Sequence, residues 1–203
     1  NAFQLEKQGV NKAAALLIIL LLALLFLKLS GKTLLIFSSS CAMSGLGVSV
    51  IFIFQVMYGN AHMLSALIIS LLFAGLATGA SLKAGEEGKR WLPPLLLSLI
   101  LIITGLLTLT GAFAGADAGF GIVFMILTFI AGVFTGSVYR ILTSGSMAVS
   151  TEKVYGADLT GSASGYLITG SVLIPLLGVM NAVFILAGII LISLFIVSVA
   201  PKL

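Results

Sequence analysis

The sequence predicts an all-α, polytopic bundle of about seven transmembrane helices, and three observations support this class. Hydrophobic residues make up 60% of the 203 residues and charged residues only 8%, which is incompatible with a water-facing surface of ordinary polarity. The apolar residues fall into runs long enough to cross a bilayer, which takes about 20 residues per helix. The basic residues lie at or near the ends of these runs. We therefore treat residues 1–203 as a single transmembrane domain.

Hydropathy divides the chain into seven spans, which we number 1 to 7. Their predicted ranges are 13–29, 34–58, 62–82, 92–113, 120–143, 157–178 and 180–200. Span 1 is too long for a signal-peptide core, and no small-residue cleavage site follows it. Spans 6 and 7 belong to one apolar stretch about twice as long as a bilayer accommodates. Pro175, Gly178 and Asn181 predict the turn that separates them.

The basic residues predict the orientation of the chain. Two of them, Lys7 and Lys12, precede span 1. The other eight fall on the opposite side of the membrane: Lys28, Lys32, Lys83, Lys89, Arg90, Arg140, Lys153 and Lys202. The positive-inside rule then places the N-terminus outside and the C-terminus in the cytoplasm. Because these residues lie beside membrane segments, the net charge of +4 does not indicate a nucleic-acid partner.

Pairs of glycines four residues apart predict where helices pack closely. The pairs are Gly75 and Gly79 in span 3, Gly132 and Gly136 in span 5, and Gly161 and Gly165 in span 6. Residues at this spacing share one face of a helix. Lipid gives helices no hydrophobic reason to associate, so small residues that let two backbones approach take that role. We expect these six glycines to be helix-packing positions.

Three residues in or near the spans form a predicted polar site: Gln55, Arg140 and Asp158. At the cytoplasmic mouth of span 6, Asp158 is interpreted as a first-turn capping residue. The alternative is a cation or proton site, which requires the carboxylate to face the bundle. Gln55 is suited to an interhelical hydrogen bond or a substrate contact. Arg140 can extend to the headgroups or pair with Asp158, since both lie near the same membrane face.

The sequence predicts no catalytic, metal-binding or cofactor-binding residues in this chain. His62 is the only histidine and Cys41 the only cysteine, so a bis-histidine haem, a zinc cluster and a Ser/His/Asp triad are excluded. The glycines follow helical spacing and lack the strand and the Lys-Ser/Thr ending of a phosphate-binding loop. Whether the chain belongs to an enzyme stays open.

Four segments carry a resemblance to a known family. They are SGLG (44–47), FQVMYG (54–59), FAGLATGAS (73–81) and YGADLTGSASGYLITGSVLIPLLG (155–178). Together they resemble the membrane domain of the bacterial fused major-facilitator/spermidine-synthase-like family. The resemblance implies a multi-pass protein of the bacterial inner membrane. It also implies that spans 2 to 7 form one six-helix facilitator-like half, with span 1 as an addition.

The resemblance leaves three functions open. Family members often carry a soluble aminopropyltransferase domain, which these 203 residues do not contain. The first function is an integral membrane scaffold or anchor subunit that packs through Gly/Ser-rich helix faces against a partner. The second is a half-transporter for a small, cationic or polyamine-like metabolite, which needs a second half. The third is the membrane part of a synthase-like enzyme. The expected partners are the lipid bilayer and either other membrane subunits or a second copy.

Overall fold

A computed structural model describes residues 31–59, 61–81, 92–109, 118–143 and 150–199. The secondary structure of these residues is helical. The elements are α1 (Gly31–Tyr58), α2 (Ala61–Ser81), α3 (Leu92–Leu109), α4 (Ala118–Thr143), α5 (Thr151–Ile168) and α6 (Ile174–Val199), with a π-helical turn (Thr169–Leu173) joining α5 to α6. The predicted all-α bundle is confirmed.

The number of helices differs from the prediction. Span 1 (13–29) lies outside the described residues, which form five continuous helical segments because α5, the π-helical turn and α6 run together. The predicted division between spans 6 and 7 is present as a break inside α6, where Gly178 has φ 82° and ψ 163°. Only glycine adopts such a backbone conformation readily. The Asn181 side-chain amide donates to the Leu177 carbonyl across this break, at 2.8 Å.

Four segments are long and apolar enough to cross a membrane. They are Thr33–Tyr58, Leu64–Ser81, Gly121–Thr143 and Thr151–Val199, and Leu92–Leu107 is a shorter apolar helix. These lengths are those of a membrane-spanning bundle. The segment that contains α5 and α6 has about twice the length that one crossing needs. The chain must therefore turn within it, and the break at Gly178 provides the turn.

Helix α1 lies at the centre of the bundle. Its apolar window is 89% buried, whereas that of α2 is 22% buried. Its largest core side chains are at most 2% exposed: Ile36, Phe37, Leu46, Val50 and Phe54. Buried residues lie on every side of this helix, including the polar Ser38, Ser39 and Ser49, so its surroundings are other helices.

Helices α5 and α1 run parallel with their backbones in contact. A Cβ atom at Gly161 would lie 3.0 Å from Phe37 Cα, and one at Gly165 would lie 2.9 Å from Cys41 Cα. The contact advances by four residues on both helices, which fixes their relative direction. Both glycines are buried. The absence of side chains at these two positions therefore sets the distance between α1 and α5.

The chain after Gly178 returns along α1 in the opposite direction. Ser38 Oγ lies 2.7 Å from Ser193 Oγ. A Cβ atom at Gly31 would contact Val197, and one at Gly45 would contact Leu186. Residue numbers thus rise along α1 as they fall along α6. The break at Gly178 reverses the chain, so that α1 is held between α5 and the returning part of α6.

Helices α2 and α4 form a second parallel pair. A Cβ atom at Gly75 would lie 3.1 Å from Gly132 Cα, one at Gly79 would lie 2.9 Å from Val133 Cα, and one at Gly136 would lie 2.8 Å from the Ala80 nitrogen. All four predicted glycines of these two helices thus lie at the α2–α4 contact. The bundle is built from two parallel glycine-mediated pairs, α1 with α5 and α2 with α4.

Candidate functional site

Asp158 lies inside α5 and not at its end. The helix begins at Thr151, and Glu152 is the acidic residue of its first turn. Seven residues at 1.5 Å each place Asp158 about 10 Å along the axis. The interpretation of Asp158 as a first-turn cap is therefore wrong. The error arises because the charged residues Glu152 and Lys153 end the apolar run on the hydropathy scale, whereas the helix itself continues through them.

The Asp158 carboxylate faces α1. The hydroxyl of Ser40 donates a hydrogen bond to Asp158 Oδ1. Ser40 is fully buried, whereas Asp158 is half-buried. The parallel contact through Gly161 and Gly165 brings α1 and α5 close enough for these two short side chains to meet. The backbone packing of the pair thus positions the carboxylate.

Two stripes of residues, one along α1 and one along α5, extend from this hydrogen bond. On α1, five residues at helical spacing share one face: Ser40, Ser44, Val48, Ile51 and Gln55. On α5, three residues spaced by four do the same: Asp158, Ser162 and Tyr166. We call these eight residues the α1–α5 groove. Val48 lies 3.7 Å from the position of a Cβ atom at Gly170, which shows that this face of α1 turns toward the α5 side.

The groove is closed at one end and open at the other. Ser40 and Ser44 are 1% and 4% exposed. Val48 and Ile51 are half-buried, and Gln55 is exposed. Asp158 and Ser162 are half-buried and Tyr166 is exposed. The carboxylate therefore lies at the deep end, and Gln55 lies about 22 Å farther along α1 at the open end.

The structure places the three predicted polar residues apart from one another. Asp158 contacts Ser40, and Gln55 lies on the same face of α1 about 22 Å farther along, beyond the end of α5. Arg140 lies on α4, where its guanidinium donates to the Ala80 carbonyl at 3.0 Å. Among the described residues, the contacts of these two side chains are with Ala80 for Arg140 and with Ser40 for Asp158. The arginine contributes to the α2–α4 pair instead.

Sequence reasoning did not assign Ser40, Ser44 and Ser162 to a site. The sequence predicts packing at glycines and does not single out these serines. The four-residue spacing of Asp158, Ser162 and Tyr166, with the same spacing of Ser40 and Ser44, is the signal that relates them. Which two stripes face each other depends on the register between two helices that are distant in sequence. The spacing of residues within one helix does not determine that register.

The half-buried Asp158 carboxylate is a candidate for binding a cation or a proton. An aspartate at the centre of a membrane helix costs about 2.5–3.5 kcal/mol on insertion scales. Such residues face the bundle interior or a water-filled cavity and mark ion or substrate pathways. The Ser40 hydroxyl satisfies one carboxylate oxygen, but a neutral donor does not compensate the charge. A bound cation or a proton would do so.

Comparisons of the chain with protein-family models, curated proteins and solved structures found no match. The resemblance to the fused major-facilitator/spermidine-synthase-like family therefore stays a prediction from the sequence.

Proposed function

We propose that this chain is a half-transporter that binds a small cationic metabolite in the α1–α5 groove. The observation that carries the proposal is the Asp158 carboxylate, which lies within a segment long and apolar enough to span a membrane and accepts a hydrogen bond from the neutral Ser40 hydroxyl. Ionisable residues inside membrane spans are expensive, and their usual reason is function.

The groove offers a graded set of polar groups to such a ligand. Asp158 supplies the counter-charge at the deep end. Ser162 and Tyr166 lie one and two turns farther along α5 and add hydroxyls, while Gln55 supplies an amide at the open end. An organic amine combines one or more positive charges with a carbon chain. Its charge matches the carboxylate, and its carbon chain matches the apolar Val48 on the same face of α1.

We expect an organic amine to stabilise the protein only while Asp158 keeps its charge. In thermal denaturation of the protein in detergent, spermidine and putrescine should raise the melting temperature of the wild type. Asp158→Asn should bind them at least tenfold more weakly, which corresponds to about 1.4 kcal/mol. The matched control is Glu152→Gln, which removes an exposed carboxylate two turns away on the same helix. It should leave the shift unchanged.

Two results would contradict the proposal. One is an amine-induced shift that Asp158→Asn retains in full. The other is a loss of the shift in both variants alike, which would reduce the effect to general surface charge.

The proposed location is the bacterial inner membrane, with the N-terminus outside and the C-terminus in the cytoplasm. The family resemblance supports the bacterial inner membrane. The predicted distribution of eight basic residues on one side and two on the other, read by the positive-inside rule, supports the orientation. In this orientation the deep end of the groove lies nearer the cytoplasm, since α5 begins on that side.

A scaffold or anchor subunit is the second candidate, and the exposed face of α2 favours it. Five small residues at helical spacing are exposed there: Ala66, Ser70, Ala74, Ala77 and Ser81. Small residues allow close helix packing in lipid. The six glycines are occupied within the bundle, so a partner would dock on α2 and not on the glycine faces. Stoichiometric co-purification of another membrane subunit, lost in Ala74→Leu, would favour this candidate.

A further inference from the structure

We infer that the ligand is recognised through a primary ammonium group, which Asp158, Ser44 and Ser162 bind together. The inference names the substrate class of the site and rests on the proposed function. A primary ammonium group carries three N–H donors. The three side chains offer it three acceptors, which are one carboxylate oxygen and two hydroxyl oxygens.

Ser44 and Ser162 lie one helical turn beyond the hydrogen bond between Ser40 and Asp158. The two glycine contacts show that α1 and α5 advance together by four residues. A step of four from the bonded pair Ser40 and Asp158 therefore brings Ser44 to the level of Ser162. The rise between the two levels is about 6 Å. A nitrogen that bonds at about 2.9 Å to oxygens of both levels spans this distance.

The three acceptors are available to a ligand. Ser40 donates to Oδ1 of Asp158, which leaves Oδ2 to accept from another group. Ser44 is 4% exposed. In the part of the chain that the structure describes, the hydroxyls of Ser44 and Ser162 have no hydrogen-bond partner. A buried hydroxyl without a partner costs free energy, and a ligand that donates to it removes that cost.

Other hydroxyls of the same chain segment are used differently. They lie on the other faces of the helix and donate to carbonyl oxygens of their own backbone, as in Thr160, Ser164 and Ser171. Such hydroxyls are suited to contact with lipid, because their hydrogen is already bonded. Ser162 thus differs from its neighbours in having its hydroxyl free beside the carboxylate.

The arrangement discriminates between two kinds of organic cation. A quaternary ammonium group has the same charge as a primary one but no N–H donor. It can pair with the carboxylate, but it leaves both hydroxyls without a partner. Sites built to hydrogen-bond a ligand reject analogues that lack the bonding group, because the polar groups of the site are then left unpaired.

Binding of two matched cations to the purified protein in detergent tests the inference. Butylammonium and butyltrimethylammonium have the same charge and the same carbon chain. By titration calorimetry, the wild type should bind butylammonium at least about tenfold more tightly. Ser162→Ala should weaken butylammonium binding about tenfold and leave butyltrimethylammonium binding unchanged. The matched control is Ser164→Ala, because Ser164 is also half-buried on α5 but donates to the Thr160 carbonyl. It should change neither affinity.

Equal affinities of the wild type for the two cations would mean that charge alone is recognised. That result would overturn the inference and leave the proposed function standing. A preference for butylammonium that Ser162→Ala retains in full would also overturn it, since the hydroxyl would then not be an acceptor. Absence of binding of either cation would contradict the proposed function itself, and the inference with it.

Discussion

Gly165→Val is expected to destabilise the bundle by about 3 kcal/mol, at the upper end of the range for overpacking. A Cβ atom at this position would lie 2.9 Å from both the Cα and the carbonyl carbon of Cys41. The obstacle is backbone and not a flexible side chain, so α1 and α5 must separate. Lipid does not replace the contacts that are then lost. The measurement is the thermal denaturation of the purified variant in detergent.

Gly188→Val is the matched control for this prediction. Gly188 also lies in a membrane helix, but a Cβ atom there would have no neighbour within 4 Å. The added side chain therefore meets open space and should change the melting temperature little. A harmless Gly165→Val beside a damaging Gly188→Val would contradict the account of the α1–α5 packing.

Gly79→Val should have the second largest effect, for the same reason in the other pair. A Cβ atom at Gly79 would lie 2.7 Å from the carbonyl carbon of Val133 and 2.9 Å from its Cα. Separation of α2 from α4 would also displace the Ala80 carbonyl from the Arg140 guanidinium, which donates to it at 3.0 Å. We expect a loss of about 1–3 kcal/mol of stability.

Ala77→Val serves as the control on the same helix, because Ala77 is exposed and lies two residues from Gly79. It adds the same β-branched side chain without meeting α4. Equal losses in melting temperature for Gly79→Val and Ala77→Val would show that valine disturbs α2 itself, and the close contact with α4 would not be the cause.

The packing positions were accessible from sequence because their signal is local. Glycines four residues apart share a helix face whatever the rest of the chain does, and all six predicted glycines lie at helix contacts. Their partners were not accessible, because the meeting of Gly161 with Phe37 depends on two helices more than a hundred residues apart. The turn at Gly178 was also local information, and there the structure has the positive φ that glycine tolerates.

The position of Asp158 was missed because hydropathy measures preference for lipid and not helix length. The scale ends span 6 at the polar residues before 157, whereas α5 continues back to Thr151. This difference moves Asp158 from the helix end to its interior. It changes the interpretation from a cap to a candidate ligand for a cation. The groove follows only after the register of α1 and α5 is known.

A designed disulfide tests most directly the central claim that α1 and α5 pack in parallel and bring Ser40 to Asp158. In the Cys41→Ala background, the pair Ser40→Cys and Asp158→Cys should oxidise within one chain, since the native side chains are in hydrogen-bond contact. The pair Ser38→Cys and Asp158→Cys should stay reduced, because Ser38 faces Ser193 on α6. Free thiols in the first pair, or equal oxidation of both pairs, would contradict the account.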